Sequence, residues 1–311
     1  MTDVSGARGR STCSATAERA TIGRLLDEAE ERLEKGGVEF PDASALWLLA
    51  AIVGDLDDPD ALENRRRQPV TDADQGRFWE LVARRESHEP YAYIVGGFDF
   101  RGGFMEIEHG VFVPREQTER MCDEIEAWAK ARPTPADGWR IADLGSGSGA
   151  MAVSLARGPM KPRTVVAVDI AEPALALVRR NARRHGVSNA VSPLAADWFS
   201  AFRPEPCLDV ICAVPPYLNP GDEIWLSDES VLWEPKGAFF GEPSGDAVLR
   251  RILDEAATYL RPGGLVALQA DSDQIAGLVD HVNDDPRHPL VVEWILMDED
   301  GDEDAILAVK P

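Results

Sequence analysis

The chain has 311 residues, of which 44% are hydrophobic, enough for a sizeable core in one large domain or two ordinary ones. Its 55 Asp and Glu against 32 Lys and Arg leave a net charge of −23, which argues against nonspecific attraction to a nucleic acid backbone. No apolar run approaches the roughly 20 residues needed to span a bilayer, and residues 1–17 lack the apolar stretch of a secretion signal. Cys13, Cys122, Cys207 and Cys212 show no close metal-ligand spacing and fit a reduced compartment. The expectation is a cytoplasmic protein with neither membrane nor nucleic acid as partner.

Residues 1–16 are rich in Ser, Thr, Gly and Ala and read as a frayed tail. From Ala17 to Glu34 apolar residues recur at helical spacing, and Gly36 and Gly37 stop the pattern. Asp42 or Ser44 is positioned to cap a second helix ending near Gly54. Residues 60–67 and 72–85 predict two more, with Arg65, Arg66 and Arg67 read as a solvated helix end. Residues 1–88 therefore form a helical domain.

After Pro90 the pattern changes. Residues 91–95, 98–100, 105–107 and 111–113 are short strand candidates punctuated by glycines, and they predict a β-hairpin connector over 89–114. Residues 116–131 read as a helix whose acids, from 118 to 126, would face a ligand crevice. The third unit, 115–311, alternates strands and helices, as a doubly wound sheet does.

The apolar strand Ile141 to Leu144 opens onto Gly145, Gly147 and Gly149, a spacing that suits a tight turn where a ligand can approach the backbone. Asp169 ends the next strand, where acidic residues hold ribose hydroxyls. A third strand ends near Asp197 and Trp198, and a fourth, Leu208 to Val214, delivers Pro215, Pro216 and Tyr217 to the same sheet edge. Residues 219–240, with Trp225, Trp233, Glu234 and Pro235, form an insertion that reads as a lid or substrate wall. Two further helices and strands follow, with the acidic stretch 298–304 as a solvated hairpin turn. His88, His109 and His185 form no zinc or triad signature, and no metal is expected.

The segments Tyr93-Ile94-Val95-Gly96, Val113 to Glu119, Asp143 to Gly149, Val168-Asp169 and Val214 to Tyr217 occur in this order along the chain. This order resembles that of the S-adenosylmethionine-dependent methyltransferases that modify glutamine in bacterial peptide release factors. The resemblance covers nearly the whole chain. It implies an α/β, doubly wound, seven-stranded class I methyltransferase domain behind a helical substrate-recognition domain and a β-hairpin. It further implies S-adenosylmethionine as cofactor, with Gly145, Gly147 and Gly149 against its methionine part and Asp169 on its ribose. Asp197 and Trp198 would border the adenine, and Asp143 would order the loop or meet the cofactor ammonium through water.

The chain departs from that family where the acceptor is chosen. The residue before Pro215-Pro216-Tyr217 would be asparagine, which pairs with a carboxamide; Val214 can neither donate nor accept. Each partner lost in a closed site costs about 1 to 3 kcal/mol. The family's arginine-proline-glutamate-threonine-glutamate also becomes Arg115-Glu116-Gln117-Thr118-Glu119. The Pro215 carbonyl would still accept from an attacking planar nitrogen, Tyr217 would wall the site, and Glu119, Glu234 or Asp222 would match a guanidinium. The leading expectation is N-methylation of a free amino acid or guanidino metabolite such as arginine. The alternatives are a protein glutamine and a cofactor-binding protein without turnover; a nicotinamide-dependent oxidoreductase rests on the glycine loop alone.

Overall fold

The computed structural model describes residues 20–219, 221–222, 226–284, 288–297 and 301–311. The tail 1–16, Trp225 and part of the acidic turn 298–304 therefore lie outside the described residues. The chain divides into two compact units between Ala83 and Arg84, and the connector read over 89–114 falls within the second.

The first unit is helical. Helix α1 (Ile22–Lys35) starts where the Thr21 hydroxyl accepts from Arg24 N at 3.4 Å, and it buries Ile22, Leu25, Leu26, Ala29 and Leu33. Helix α2 (Pro41–Val53) begins at Pro41, ahead of both predicted caps, because proline's fixed φ suits a first helical position. The segment Pro59–Arg65 is a 3-10 helix, and α3 (Asp72–Arg85) follows. The arginine run is engaged rather than free in solvent: Arg65 pairs with Asp55, and Arg66 with Asp27 and Glu63.

The second unit opens with a difference from expectation. Residues Tyr91–Val95 are helix α4, not a strand. Their aromatic and β-branched composition favours extended structure, but Pro90 accepts from Tyr93 N and Ile94 N, and Gly96 closes the turn at φ +80°. The hairpin that follows is short, β1 (Gly97–Asp99) against β2 (Phe104–Glu106), and antiparallel. Residues 111–113 are buried but form no strand: Val111 O accepts from the Tyr93 hydroxyl at 2.7 Å, and Val113 N donates to Glu234 at 2.9 Å. Side chains from elsewhere satisfy this backbone, which no local pattern reveals.

The methyltransferase-like core contains α5 (Glu116–Lys130), β3 (Arg140–Leu144), α6 (Ala150–Arg157), β4 (Thr164–Asp169), α7 (Glu172–Arg184), β5 (Val191–Ala195) and β6 (Leu208–Ala213). It continues with α8 (Asp228–Trp233), α9 (Gly245–Tyr259), β7 (Leu260–Gln269), α10 (Ser272–Asn283), β8 (Val291–Met297) and β9 (Glu303–Val309). The sheet order is β5-β4-β3-β6-β7-β9-β8, parallel except for β9, which runs antiparallel to both neighbours. Strand β6 and the Leu265 to Leu268 part of β7 are buried throughout, and β3 all but at Arg140, because helices cover both faces of a doubly wound sheet. Pro262-Gly263-Gly264, residue types of a turn, lie instead within β7, where the pairing with β6 shifts register between Leu260 and Leu265. Strand order reverses between β3 and β6, and beyond the carboxyl ends of such strands lies the crevice of an open sheet.

Candidate active site

The turn after β3 is built from backbone that only glycine adopts easily. Gly145, Gly147 and Gly149 have φ of 71°, 52° and 78°. Ser146 N donates to Val168 O at 2.9 Å, which ties the turn to β4. A Cβ on Gly149 would stand 3.0 Å from Val178 Cγ2, so this glycine also lets the start of α6 press against α7. A Cβ on Gly145 would stand 3.4 Å from the Trp198 ring and 3.8 Å from the Val214 carbonyl oxygen. The exits of β3, β5 and β6 therefore meet at this one residue.

Asp143 is buried beneath the turn. Its Oδ2 accepts from Ala152 N at 3.0 Å, while Oδ1 has no hydrogen-bond partner among the described residues. Burial pushes its carboxyl up to about 7; the Ala152 N–H opposes the rise and the nearby Asp169 charge adds to it. The hydroxyls of Ser146 and Ser148 are likewise buried and without partners among the described residues. Three buried oxygen groups left without partners among the described residues, one of them a carboxyl, fit a ligand that carries donors and positive charge, such as the ammonium of a sulfonium cofactor's methionine part.

Asp169 lies at the end of β4, its Oδ2 accepting from Gly147 N at 2.9 Å and its Oδ1 from Ala171 N at 2.8 Å. The carboxylate is thus aimed at the loop by two N–H groups. Next to it Ile170 is 79% exposed, a large apolar side chain on the crevice rim that the sequence reading passed over. Its signal was an apolar residue directly after the acid that ends a strand. Trp198 sits at φ +47° with its ring against Gly145. Asp197 is exposed and 3.3 Å from Arg251, so α9 already provides a counter-charge for it.

At the end of β6, Val214 is half-buried against apolar core and Pro215 is buried. Two glycines bring the following chain close: a Cβ on Gly241 would stand 2.6 Å from Pro216 O, and one on Gly245 only 1.7 Å from Tyr217 O. Gln274 Nε2 donates to Tyr217 O at 2.8 Å, fixing the same carbonyl from α10. The Tyr217 hydroxyl meets Gln269, whose Oε1 accepts from Thr118 Oγ1 at 3.1 Å. Burial raises the Tyr217 hydroxyl above the usual phenol range, with Gln269 opposing, so it stays protonated at neutral pH.

The three carboxylates expected to receive a guanidinium all have partners within the chain, and Asp222 Oδ2 accepts from Asn219 N at 2.7 Å. Glu234 is buried; its Oε1 binds Arg115 and Ser230, and its Oε2 accepts from Val113 N. Arg115 also lies 4.9 Å over the Phe112 ring, and Glu234 thus holds a guanidinium of this chain. Glu119 Oε1 accepts from Arg101 N at 3.2 Å, and Arg101 itself pairs with Asp123 and Glu126. The acids of α5 anchor the hairpin tip rather than lining a crevice. Burial raises the Glu119 carboxyl, with Arg101 N–H opposing. Asn181, which the sequence reading passed over, is fully buried and donates to both Glu106 O and Ser148 O, linking β2 to the glycine turn.

Fold and site together define a class I S-adenosylmethionine-dependent methyltransferase, an enzyme whose cofactor is S-adenosylmethionine. Residues 141–224 match the family described as a methyltransferase domain, and residues 24–96 match the PrmC N-terminal domain. The chain belongs to the release factor glutamine methyltransferase family. It is 36% identical to the Release factor glutamine methyltransferase of Moorella thermoacetica over 82% of this chain and 87% of the relative. It is 34% identical to that of Nitratidesulfovibrio vulgaris over 82% of this chain and 84% of the relative. Against that of Bordetella pertussis it is 36% identical over 66% and 73%, respectively.

Proposed function

We propose that the enzyme methylates the side-chain amide nitrogen of a protein glutamine, in place of the free guanidino acceptor that Val214 suggests on sequence grounds. The observation that carries this reading is the state of Glu234: a carboxylate already filled by Arg115, Ser230 and Val113 N cannot also take a substrate guanidinium. Relatives named for release factor glutamine support it, since the similarity extends across both units.

S-adenosylmethionine, when bound, supplies an electrophilic methyl group carried on a sulfonium. Asp169 would hold its ribose hydroxyls, with Ile170 and Trp198 against the adenine and Asp197 at the rim. Gly145, Gly147 and Gly149 would admit its methionine part, and Asp143 would face its ammonium. The Pro215 carbonyl would accept one N–H of the acceptor amide and so orient the nitrogen lone pair; Tyr217 would wall the pocket and exclude water. Val214 contributes shape but no hydrogen bond, which would slow carboxamide transfer by about 5- to 160-fold, from 1 to 3 kcal/mol per lost partner.

The test is incubation with S-adenosylmethionine and either release factors or a pool of free amino acids and guanidino compounds, read by mass. A single methyl addition on a release factor glutamine is the expected result. Turnover of arginine-like metabolites with no protein methylation would establish the second reading, which Val214 favours. Val214→Asn should raise kcat/KM for the glutamine acceptor about 10-fold, the equivalent of one recovered hydrogen bond; no gain would remove Val214 as the selectivity determinant.

A further inference from the structure

The second unit gathers, away from the glycine turn, three groups that the chain order keeps apart. Asp254 lies on α9, His281 near the end of α10, and His288 beyond that helix. His281 Nε2 is 2.8 Å from Asp254 Oδ1, and His288 Nε2 is 3.4 Å from the same oxygen. The three ligand atoms all lie within 4.8 Å of one another. The His288 side chain is only 7% exposed, and its Nε2, aimed at Asp254, has no hydrogen-bond partner among the described residues.

We propose that Asp254, His281 and His288 form a binding site for a first-row divalent cation of the zinc type, with a fourth position open to water. Zinc bonds of about 2.0–2.1 Å in tetrahedral geometry space neighbouring ligand atoms roughly 3.3 Å apart. The observed 2.8 and 3.4 Å bracket that spacing, so small side-chain rotations suffice. Two imidazoles with one carboxylate select zinc, nickel or copper over magnesium or calcium, which prefer all-oxygen shells. Asp280 and Asp284 line an adjacent cleft of about 480 Å³ with His281 and Arg250, and they keep the surroundings negative. Arg250 donates to Gly277 O at 3.2 Å.

Leu290 N lies 3.2 Å from His288 Nδ1, so in the cation-free form the ring proton sits on Nε2. Ligation through Nε2 moves that proton to Nδ1 and gives up this bond, which keeps the affinity below that of a preformed structural zinc centre. The cation would clip α9 to the end of α10. The opposite ends of these helices hold the acceptor loop, through Gln274 on Tyr217 O and Asp246, and through Gly245 N on Asn219.

The full untagged chain, stripped with EDTA, is titrated with Co²⁺ by visible absorption and with Zn²⁺ by calorimetry and thermal melting. The expected result is one equivalent bound, a cobalt spectrum of nitrogen and oxygen ligands without a thiolate band, and a Tm higher by several degrees. His281→Ala and Asp254→Asn each weaken binding at least 10-fold with an unchanged far-UV spectrum, whereas His109→Ala leaves it intact. Binding that persists in both cluster variants overturns the site, as does the absence of stoichiometric binding by the unaltered chain.

Discussion

In the proposed site Asp143 would couple acid–base chemistry to cofactor binding. Its folded value of about 7 lies above the ordinary carboxylate value, so it binds a proton in the folded state that the unfolded chain has already released. Its contribution to stability is therefore full below about pH 4 and is lost as pH rises through 7, a loss on the order of 4 kcal/mol by pH 8. A cationic cofactor favours the ionised form, so affinity for S-adenosylmethionine should climb up to about 10-fold per pH unit toward pH 7 and level off above it. Asp143→Asn should flatten that profile in calorimetry and raise the urea midpoint of the free enzyme at pH 8. A pH-independent affinity in the unaltered enzyme would show that Asp143 does not meet the ammonium. The glycines and Asp169 were legible in the sequence because strand ends and tight turns have local signatures. Glu119 and Glu234 were not, because the partners that claim them, Arg101 and Arg115, arrive through tertiary contact.

At the scale of elements, two of the contacts that fasten the insertion after β6 to the core bear directly on the acceptor loop. One is the ionic clamp that joins α8 to the segment before α5, where Glu234 binds Arg115, Val113 N and Ser230. Removing one partner of such a buried pair strands the other groups, so Glu234→Ala should cost about 3 kcal/mol in denaturant unfolding. The paired change Arg115→Met with Glu234→Leu should cost less than Glu234→Ala alone, since it leaves no uncompensated charge. The second is the close approach of Gly245 to Tyr217 O, where a Cβ would stand 1.7 Å from the oxygen. Gly245→Ala should displace Pro215 to Tyr217 and lower kcat/KM by about 100-fold, as a misplacement near 1 Å does. Cofactor affinity should change less than 3-fold, because the glycine turn belongs to β3 and α6. Equal losses in both would mean that the two loops act as one unit. Tyr91–Val95 belongs to this scale too: propensity favours a strand, but flanking Pro90 and Gly96 decide a helix.

At the scale of the whole molecule, a net charge of −23 on 311 residues makes self-repulsion a term in stability. Screening shortens to about 3 Å at 1 M salt, so Tm should rise from low to high sodium chloride, a trend that differential scanning calorimetry will read directly. A Tm that falls over that range would mean that surface ion pairs such as Arg251–Asp197 outweigh the repulsion. No helix among the described residues is long and apolar enough to cross a membrane.

The sequence by itself determined the alternation of strands and helices, the glycine turn, the acid at the end of β4 and the family, because each is written in spacing along a contiguous stretch. Sheet order, the meeting of three strand exits at Gly145, the engagement of Glu234 and the gathering of Asp254, His281 and His288 were decided only by the tertiary structure. Those features depend on which distant residues share a neighbourhood. Packing settles that, through buried backbone and charged groups that must find partners wherever the fold brings them.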